Sequence, residues 1–306
     1  MLDEKITKLI DTKASEMNSE APFCYASVSK IIEQLNCFID GKVDLTEEEI
    51  DYSLDFLIGY YTITLDFPLD AGLKILRAVR FTNPTKKPCF SEVSRLSYIP
   101  KSSSIIPSRG RMNKRGDSLF YGCIYFNDFS GGFNVGFSEI NALKNDKVNI
   151  LKSKTISEIK VNYVGIYDLI KREEKPYFLM EEAYTYLKEV YEYQERKFDK
   201  HVFLAFQLCD KFFNDILRRR KSGNLYIVTS TLASHFLDRD EVDGLIYTSV
   251  KVDGSPVIAI KPSSIDRKVL HKEATSFEIQ ECYGQEIFKA KPLYKGAVNG
   301  ETIDWN

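Results

Sequence analysis

Three features of the sequence predict an α+β fold. Apolar residues recur at helical spacing through the first 68 positions, β-branched and aromatic runs alternate from position 73 onward with amphipathic helices between them, and Asp253-Gly254 and Asn299-Gly300 signal hairpins. The chain has 306 residues, about two domain-lengths, and 43% of them are hydrophobic, enough for at least one large core.

The elements follow in order. Ile6, Leu9 and Ile10 share one helix face, and Val28, Ile31, Ile32 and Leu35 share a second. Thr46-Glu47-Glu48-Glu49 is a capping box that opens a third helix carrying Ile50, Leu54 and Leu57. Pro68 punctuates this helical appendage of about 70 residues, and 73–81 alternates as a strand. Residues 101–116, rich in Ser, Gly and Pro, read as loop, and 118–126 as an apolar, aromatic strand. Ser130-Gly131-Gly132-Phe133-Asn134-Val135-Gly136 lacks the spacing of a dinucleotide fingerprint and reads as a flexible loop, with a helix starting at 137–143. Ile159, Val161 and Tyr163 alternate as a strand. Ala183, Leu187, Val190 and Tyr191 mark one helix, and Phe206, Cys209, Phe213 and Leu217 another, which closes on Arg218-Arg219-Arg220-Lys221 before Gly223. Four cations there complement the helix dipole. Leu225-Tyr226-Ile227-Val228, a short helix near 231–237 and strands at 245–252 and 256–260 come next. Beyond 265, alternating Phe277 and Ile279, a turn at Tyr283-Gly284-Gln285 and the Asn299-Gly300 hairpin predict a β meander on the edge of the core.

Composition excludes several chemistries. With 42 basic and 44 acidic side chains the formal charge is -2, so any nucleic-acid contact must be local. No apolar run reaches the length of a membrane span, and Met1-Leu2-Asp3-Glu4-Lys5 is charged where a signal peptide would be apolar. The expected compartment is the cytoplasm. Cys24, Cys37, Cys89, Cys123, Cys209 and Cys282 never form Cys-x-x-Cys, and His201, His235 and His271 stand apart from other ligands, so no metal site is expected. Gly-x-Ser-x-Gly and the P-loop are both absent. The densest positive stretch is 101–116, with Lys101, Arg109, Arg111, Lys114 and Arg115 and no acid.

Four blocks then occur in order: Leu76-Arg77-Ala78-Val79-Arg80; Gly110-Arg111-Met112-Asn113 with Gly116 and Leu119-Phe120-Tyr121; Ser138-Glu139; and Val242-Asp243-Gly244-Leu245-Ile246-Tyr247-Thr248-Ser249-Val250. Over roughly 72–265 they resemble the RES domain, known as the toxin of bacterial toxin-antitoxin pairs. The resemblance implies an ADP-ribosyltransferase-like core of mixed or antiparallel sheets with flanking helices, NAD as substrate, an antitoxin protein as partner, and cleavage of the nicotinamide-ribose bond by hydrolysis or phosphorolysis with inorganic phosphate. It divides the chain into an N-terminal helical region (1–70), a RES domain (71–265) and a β-rich tail (266–306). Met112 replaces an aromatic common among relatives, and the glycine segment lengthens the interval from Tyr121 to Glu139.

The residue types suit that chemistry. Loss of nicotinamide leaves an oxocarbenium-like ribose, which calls for a carboxylate beside the sugar, matched by Glu139. A pyrophosphate calls for planar bidentate donors, matched by Arg77 and Arg111. Arg77 and Arg80 exchange roles if the strand register differs. Tyr121 matches an aromatic suited to stacking on nicotinamide or ribose. Ser249 matches a serine that bonds a ribose or phosphate oxygen or orients Glu139. The catalytic set is thus Glu139, Arg77 and Tyr121, and the NAD-binding set Arg77, Arg111, Tyr121 and Ser249. Two other functions compete: mono-ADP-ribosyl transfer to a protein or nucleic acid, and a non-enzymatic nucleotide- or nucleic-acid-binding module using the basic loop. Neither membrane nor nucleic acid is an expected partner of the leading reading.

Overall fold

Thr46 and Glu49 cap each other in the computed structural model as their spacing predicts. The Glu49 N–H donates to Thr46 Oγ1 at 3.2 Å, and the Thr46 N–H donates to Glu49 Oε2 at 2.8 Å. The structure describes residues 2–60, 66–83, 85–125, 129–220, 223–252, 254–284 and 287–306. Met1, Phe126, Lys221, Asp253 and Gln285, named in the sequence expectations, lie outside the described residues, as does the side chain of Ser130.

The chain divides into two compact units, Met1–Phe67 with Arg109–Lys114 and Asn162–Arg239, and Pro68–Ser108 with Arg115–Val161 and Asp240–Asn306. This partition differs from the contiguous 1–70, 71–265 and 266–306 expected from sequence. Residues 162–239 pack with the first helices, and the tail extends the sheet of the second unit.

The first unit is helical: α1 (Glu4–Met17), α2 (Ala21–Ile39), α3 (Glu47–Tyr60), then, after α4 (Phe129–Glu139) of the second unit, α5 (Ile166–Lys171), α6 (Glu181–Lys197), α7 (Lys200–Arg218) and α8 (Gly223–Leu237), with α9 (Pro262–Lys268) again in the second unit. α7 is its centre, burying Phe206, Cys209, Phe213, Ile216 and Leu217. Asp199 caps it, accepting from the His201 N–H at 2.8 Å. α8 is one helix: Leu225–Val228 and the short helix expected near 231–237 are continuous, because Leu225, Val228, Leu232 and Phe236 fall on one buried face.

The second unit carries the sheet: β1 (Phe67–Leu69), β2 (Lys74–Phe81), β3 (Phe120–Tyr125), β4 (Lys147–Thr155), β5 (Ile159–Tyr163), β6 (Gly244–Thr248), β7 (Pro256–Ile260), β8 (Val269–Cys282), β9 (Phe288–Asn299) and β10 (Thr302–Trp305), with α4 (Phe129–Glu139) and α9 (Pro262–Lys268). The ends of β1 and β5 fall at the boundary between the units. The order is β1-β5-β6-β7-β3-β2-β4-β8-β9-β10. Every pairing with resolved register is antiparallel, from β2–β3 to the β8–β9–β10 meander of the tail. The outer edge of β10 is covered, since the Ile303 N–H donates to Ser91 O and the Val93 N–H to Glu301 O.

The glycine segment is where expectation and structure part. It is α4, not a loop. Cβ atoms added at Gly132 would come within 2.8 Å of Leu76 Cδ1 and 2.9 Å of Tyr125 Cβ, and one at Gly136 within 3.3 Å of Ala78 Cβ. The glycines let the helix backbone lie on β2 and β3. Phe137 is not the start of a helix but its last turn. α4 ends at Glu139, and Asn141 at φ 48° takes the left-handed conformation that stops it. Among the described residues no helix is long and apolar enough to cross a membrane.

Candidate functional site

Because α4 is built this way, Glu139 stands at a helix C-terminus, the end that disfavours negative charge. The half-buried carboxylate accepts a hydrogen bond from the Ser249 hydroxyl on Oε1. Ser249 follows β6 and is 2% exposed. Its Oγ also accepts the N–H groups of Lys251 (3.0 Å) and Val252 (2.9 Å). A hydroxyl has two lone pairs and one proton. With the lone pairs engaged by main-chain donors, the proton is directed at Glu139.

The block that contains Ser249 is fixed upstream by a buried acid. Asp243 accepts from the Lys160 N–H (2.8 Å), the Ser264 hydroxyl (2.6 Å) and Lys268 Nζ (2.7 Å). Burial raises its pKa, but Lys268, Ser264 and the Lys160 N–H outweigh burial and hold it below the usual value. Gly244 follows because a Cβ there would lie 2.8 Å from Ala259 O. These contacts seat β6 beside β7, so that the chain reaches Ser249 in a defined position.

Arg77 and Arg80 lie three apart on β2, and the pleat sends them to opposite faces. Leu76 and Ala78 face α4, and Arg80 shares their face. Its Nη2 donates to the carbonyls of Ile140 (3.1 Å) and Asn141 (2.6 Å), and its Nε pairs with Asp146 at 2.9 Å. Arg80 therefore caps the end of α4. Arg77 turns the other way. β2 pairs with β4 over eight residues but with β3 only from Lys74↔Tyr125 to Leu76↔Cys123. Past Leu76 the strands part, and Arg77 Nη1 takes the Tyr121 carbonyl at 3.1 Å. The guanidinium lies over the Phe120 ring, 5.5 Å from its centroid, and its Nε is buried with no hydrogen-bond partner. No ion pair to Arg77 is found among the described residues. Burial lowers its pKa to about 10, opposed by Tyr121 and Cys123. It remains a cation at neutral pH, half-buried, with no counter-ion among the described residues, an environment that favours the approach of an anion.

The structure thus brings Glu139 to Ser249, and Arg77 to the main chain of Tyr121. Cys123, which sequence reasoning passed over as a small buried hydrophobe, is within electrostatic reach of both groups. Burial, then the Glu139 carboxylate, push its thiol well above the usual range, and Arg77 opposes them. Tyr121 is half-buried at the start of β3, opposite Ala259 of β7. His271 was also missed and had no signal in its neighbours. Its Nε2 lies 3.0 Å from Ser97 Oγ, its Nδ1 2.8 Å from Ser153 Oγ, and its ring 5.7 Å from that of Phe120.

Arg111 belongs to the first unit. Its Nη1 donates to the carbonyl of Leu217 (2.9 Å), its Nη2 to that of Arg219 (3.0 Å), and its guanidinium lies 5.4 Å from the Tyr226 centroid. It caps the C-terminus of α7, with the buried Met112 beside it in sequence. Arg109 of the same loop pairs with Glu47 at 2.7 Å. Two of the five cations that suggested a nucleic-acid loop are thus engaged within the first unit. A concavity of about 650 Å³ in that unit is lined by Tyr191, Phe198, Phe203 and a balanced set of lysines and glutamates, and holds none of the predicted site residues. No family model, no curated protein and no solved structure matches this chain.

Proposed function

We propose that the second unit holds the catalytic part of an NAD-consuming enzyme of the RES kind, with an ADP-ribosyltransferase-like core, that breaks the nicotinamide-ribose bond. The observation that carries the reading is the Glu139–Ser249 pair: an acid at the wrong end of a helix, aimed by a hydroxyl whose proton has one destination. As nicotinamide leaves, C1 of the ribose gains positive charge, and the Glu139 carboxylate stabilises it while holding a ribose hydroxyl. Arg77, which leaves the α4 face of β2 at the place where β2 and β3 part and has no ion pair among the described residues, supplies the cation for a pyrophosphate oxygen. Tyr121, at the mouth of the same parting, offers its ring to nicotinamide or ribose. Arg111, spent on α7 carbonyls, is the weaker of the two pyrophosphate candidates, so the proposal rests on Arg77. Water or inorganic phosphate then takes the ribosyl carbon, in the cytoplasm, with an antitoxin protein as the restraining partner that the resemblance implies.

The test is incubation of the purified protein with NAD, with and without inorganic phosphate. Release of nicotinamide with ADP-ribose, or with its 1-phosphate when phosphate is present, is expected. Glu139→Gln should lower the rate by about 10²–10³-fold without changing the circular dichroism spectrum. Absence of nicotinamide from the wild-type protein overturns the proposal. Label from NAD recovered on a macromolecule redirects it to ADP-ribosyl transfer.

A further inference from the structure

Arg77 has five N–H donors, of which one bonds the Tyr121 carbonyl, and no carboxylate among the described residues restrains it. The aim of its fork therefore depends on the surface beneath it, the ring of Phe120 at 5.5 Å. Phe120 is fully buried, and two neighbours define where its ring lies. On one side is Gly122: a Cβ there would come within 2.3 Å of Ile75 Cγ2 and 3.2 Å of both Leu76 O and Phe120 Cε1, so the absent side chain leaves room for the Ile75 methyl and the ring edge together. On the other is His271, its ring 5.7 Å away and inclined by 35°.

His271 is itself held at both ends. It sits on β8 where the register shifts against β4, opposite Ser153, whose hydroxyl meets Nδ1 at 2.8 Å, while Ser97 meets Nε2 at 3.0 Å. In a neutral imidazole one nitrogen donates and the other accepts, and a hydroxyl can complement either. Both serines are buried, at 5% and 3% exposure, so neither exchanges its bond for water. The imidazole is thus a fixed plate behind Phe120.

We propose that His271 is a positioning residue for Arg77, acting through Phe120 to hold the guanidinium where an anionic group of the substrate can reach it. This rests on the reading of Arg77 as the pyrophosphate contact. Burial, opposed by Asp266 and reinforced by the Arg77 charge, keeps His271 neutral down to about pH 4, so that no second cation competes with Arg77 for the anion.

The test is a double-mutant cycle read by calorimetric binding of inorganic pyrophosphate and by KM and kcat for NAD. His271→Gln keeps hydrogen-bonding groups but loses the ring. It should weaken pyrophosphate binding and raise KM about tenfold, with kcat within about twofold. His271→Phe, which restores a ring against Phe120, should recover most of the loss. In an Arg77→Ala background His271→Gln should have no further effect, because the residue through which it acts is gone. Full additivity with Arg77→Ala, unchanged binding in His271→Gln, or no pyrophosphate binding by the wild-type protein overturns the proposal. Pyrophosphate binding with the expected cycle but no nicotinamide release leaves this inference standing and removes the enzymatic one.

Discussion

His271 makes a prediction that can be read without any substrate. Its folded pKa of about 4 lies below the unfolded value of 6.5, so the unfolded chain takes up its proton first as pH falls. Stability is full above about 6.5 and drains away as pH drops toward 4, by about 3 kcal/mol across that window. Denaturant midpoints measured at pH 7.5 and 4.5 should show the fall, and His271→Gln should flatten it. Asp243 acts lower on the scale. Its depressed pKa gives stability that is present above the ordinary carboxylate value and lost as pH falls through the folded one. The two groups separate because their windows do not coincide.

At the scale of elements, α4 and its seat on β2 and β3 carry the clearest expectation. Gly132→Ala places a Cβ 2.8 Å from Leu76 Cδ1 and 2.9 Å from Tyr125 Cβ, inside a packed layer that includes Phe137 and Ile150. Overpacking of this kind costs about 1–3 kcal/mol, to be read as a lower denaturant midpoint. Lifting α4 also carries Glu139 away from Ser249, so nicotinamide release should fall with it. The same element shows where sequence reading stops. The capping box at Thr46 was legible because its donors and acceptors lie within four residues. Strands such as β2, β3 and β5 were legible from their alternating or apolar runs, and the tail hairpin from Asn299-Gly300, whereas β1 and β4 went unread. α4 was not, because isolated glycines disfavour helix and the compensation comes from a sheet distant in sequence. A signal did exist: Phe129, Phe133 and Phe137 recur every four residues, as do Gly132 and Gly136. The choice between Arg77 and Arg80 was illegible for the same reason. It depends on which face of β2 the helix covers. His271 lay beyond reach altogether, since its partners Ser97, Ser153 and Phe120 are remote in sequence.

At the scale of the molecule, neither compact unit is a single stretch of chain. The first is assembled from three segments, the last ending at Arg239, and the second from three that begin at Pro68. A fragment limited to 71–265 keeps α7 and α8 but discards α1, α2 and α3. Buried faces such as Phe206, Cys209 and Phe213 then lose the side chains of Val28, Leu35 and Leu54 that share their core. We expect this fragment to be aggregated or unfolded, as size-exclusion chromatography and circular dichroism would show. A monodisperse, folded fragment would contradict the packing. The same threading orders events during synthesis. Glu139 leaves the ribosome 110 positions ahead of the Ser249 that bonds it. A polypeptide terminated anywhere in that interval carries the acid without its donor, so premature stops cannot yield the carboxylate–hydroxyl pair.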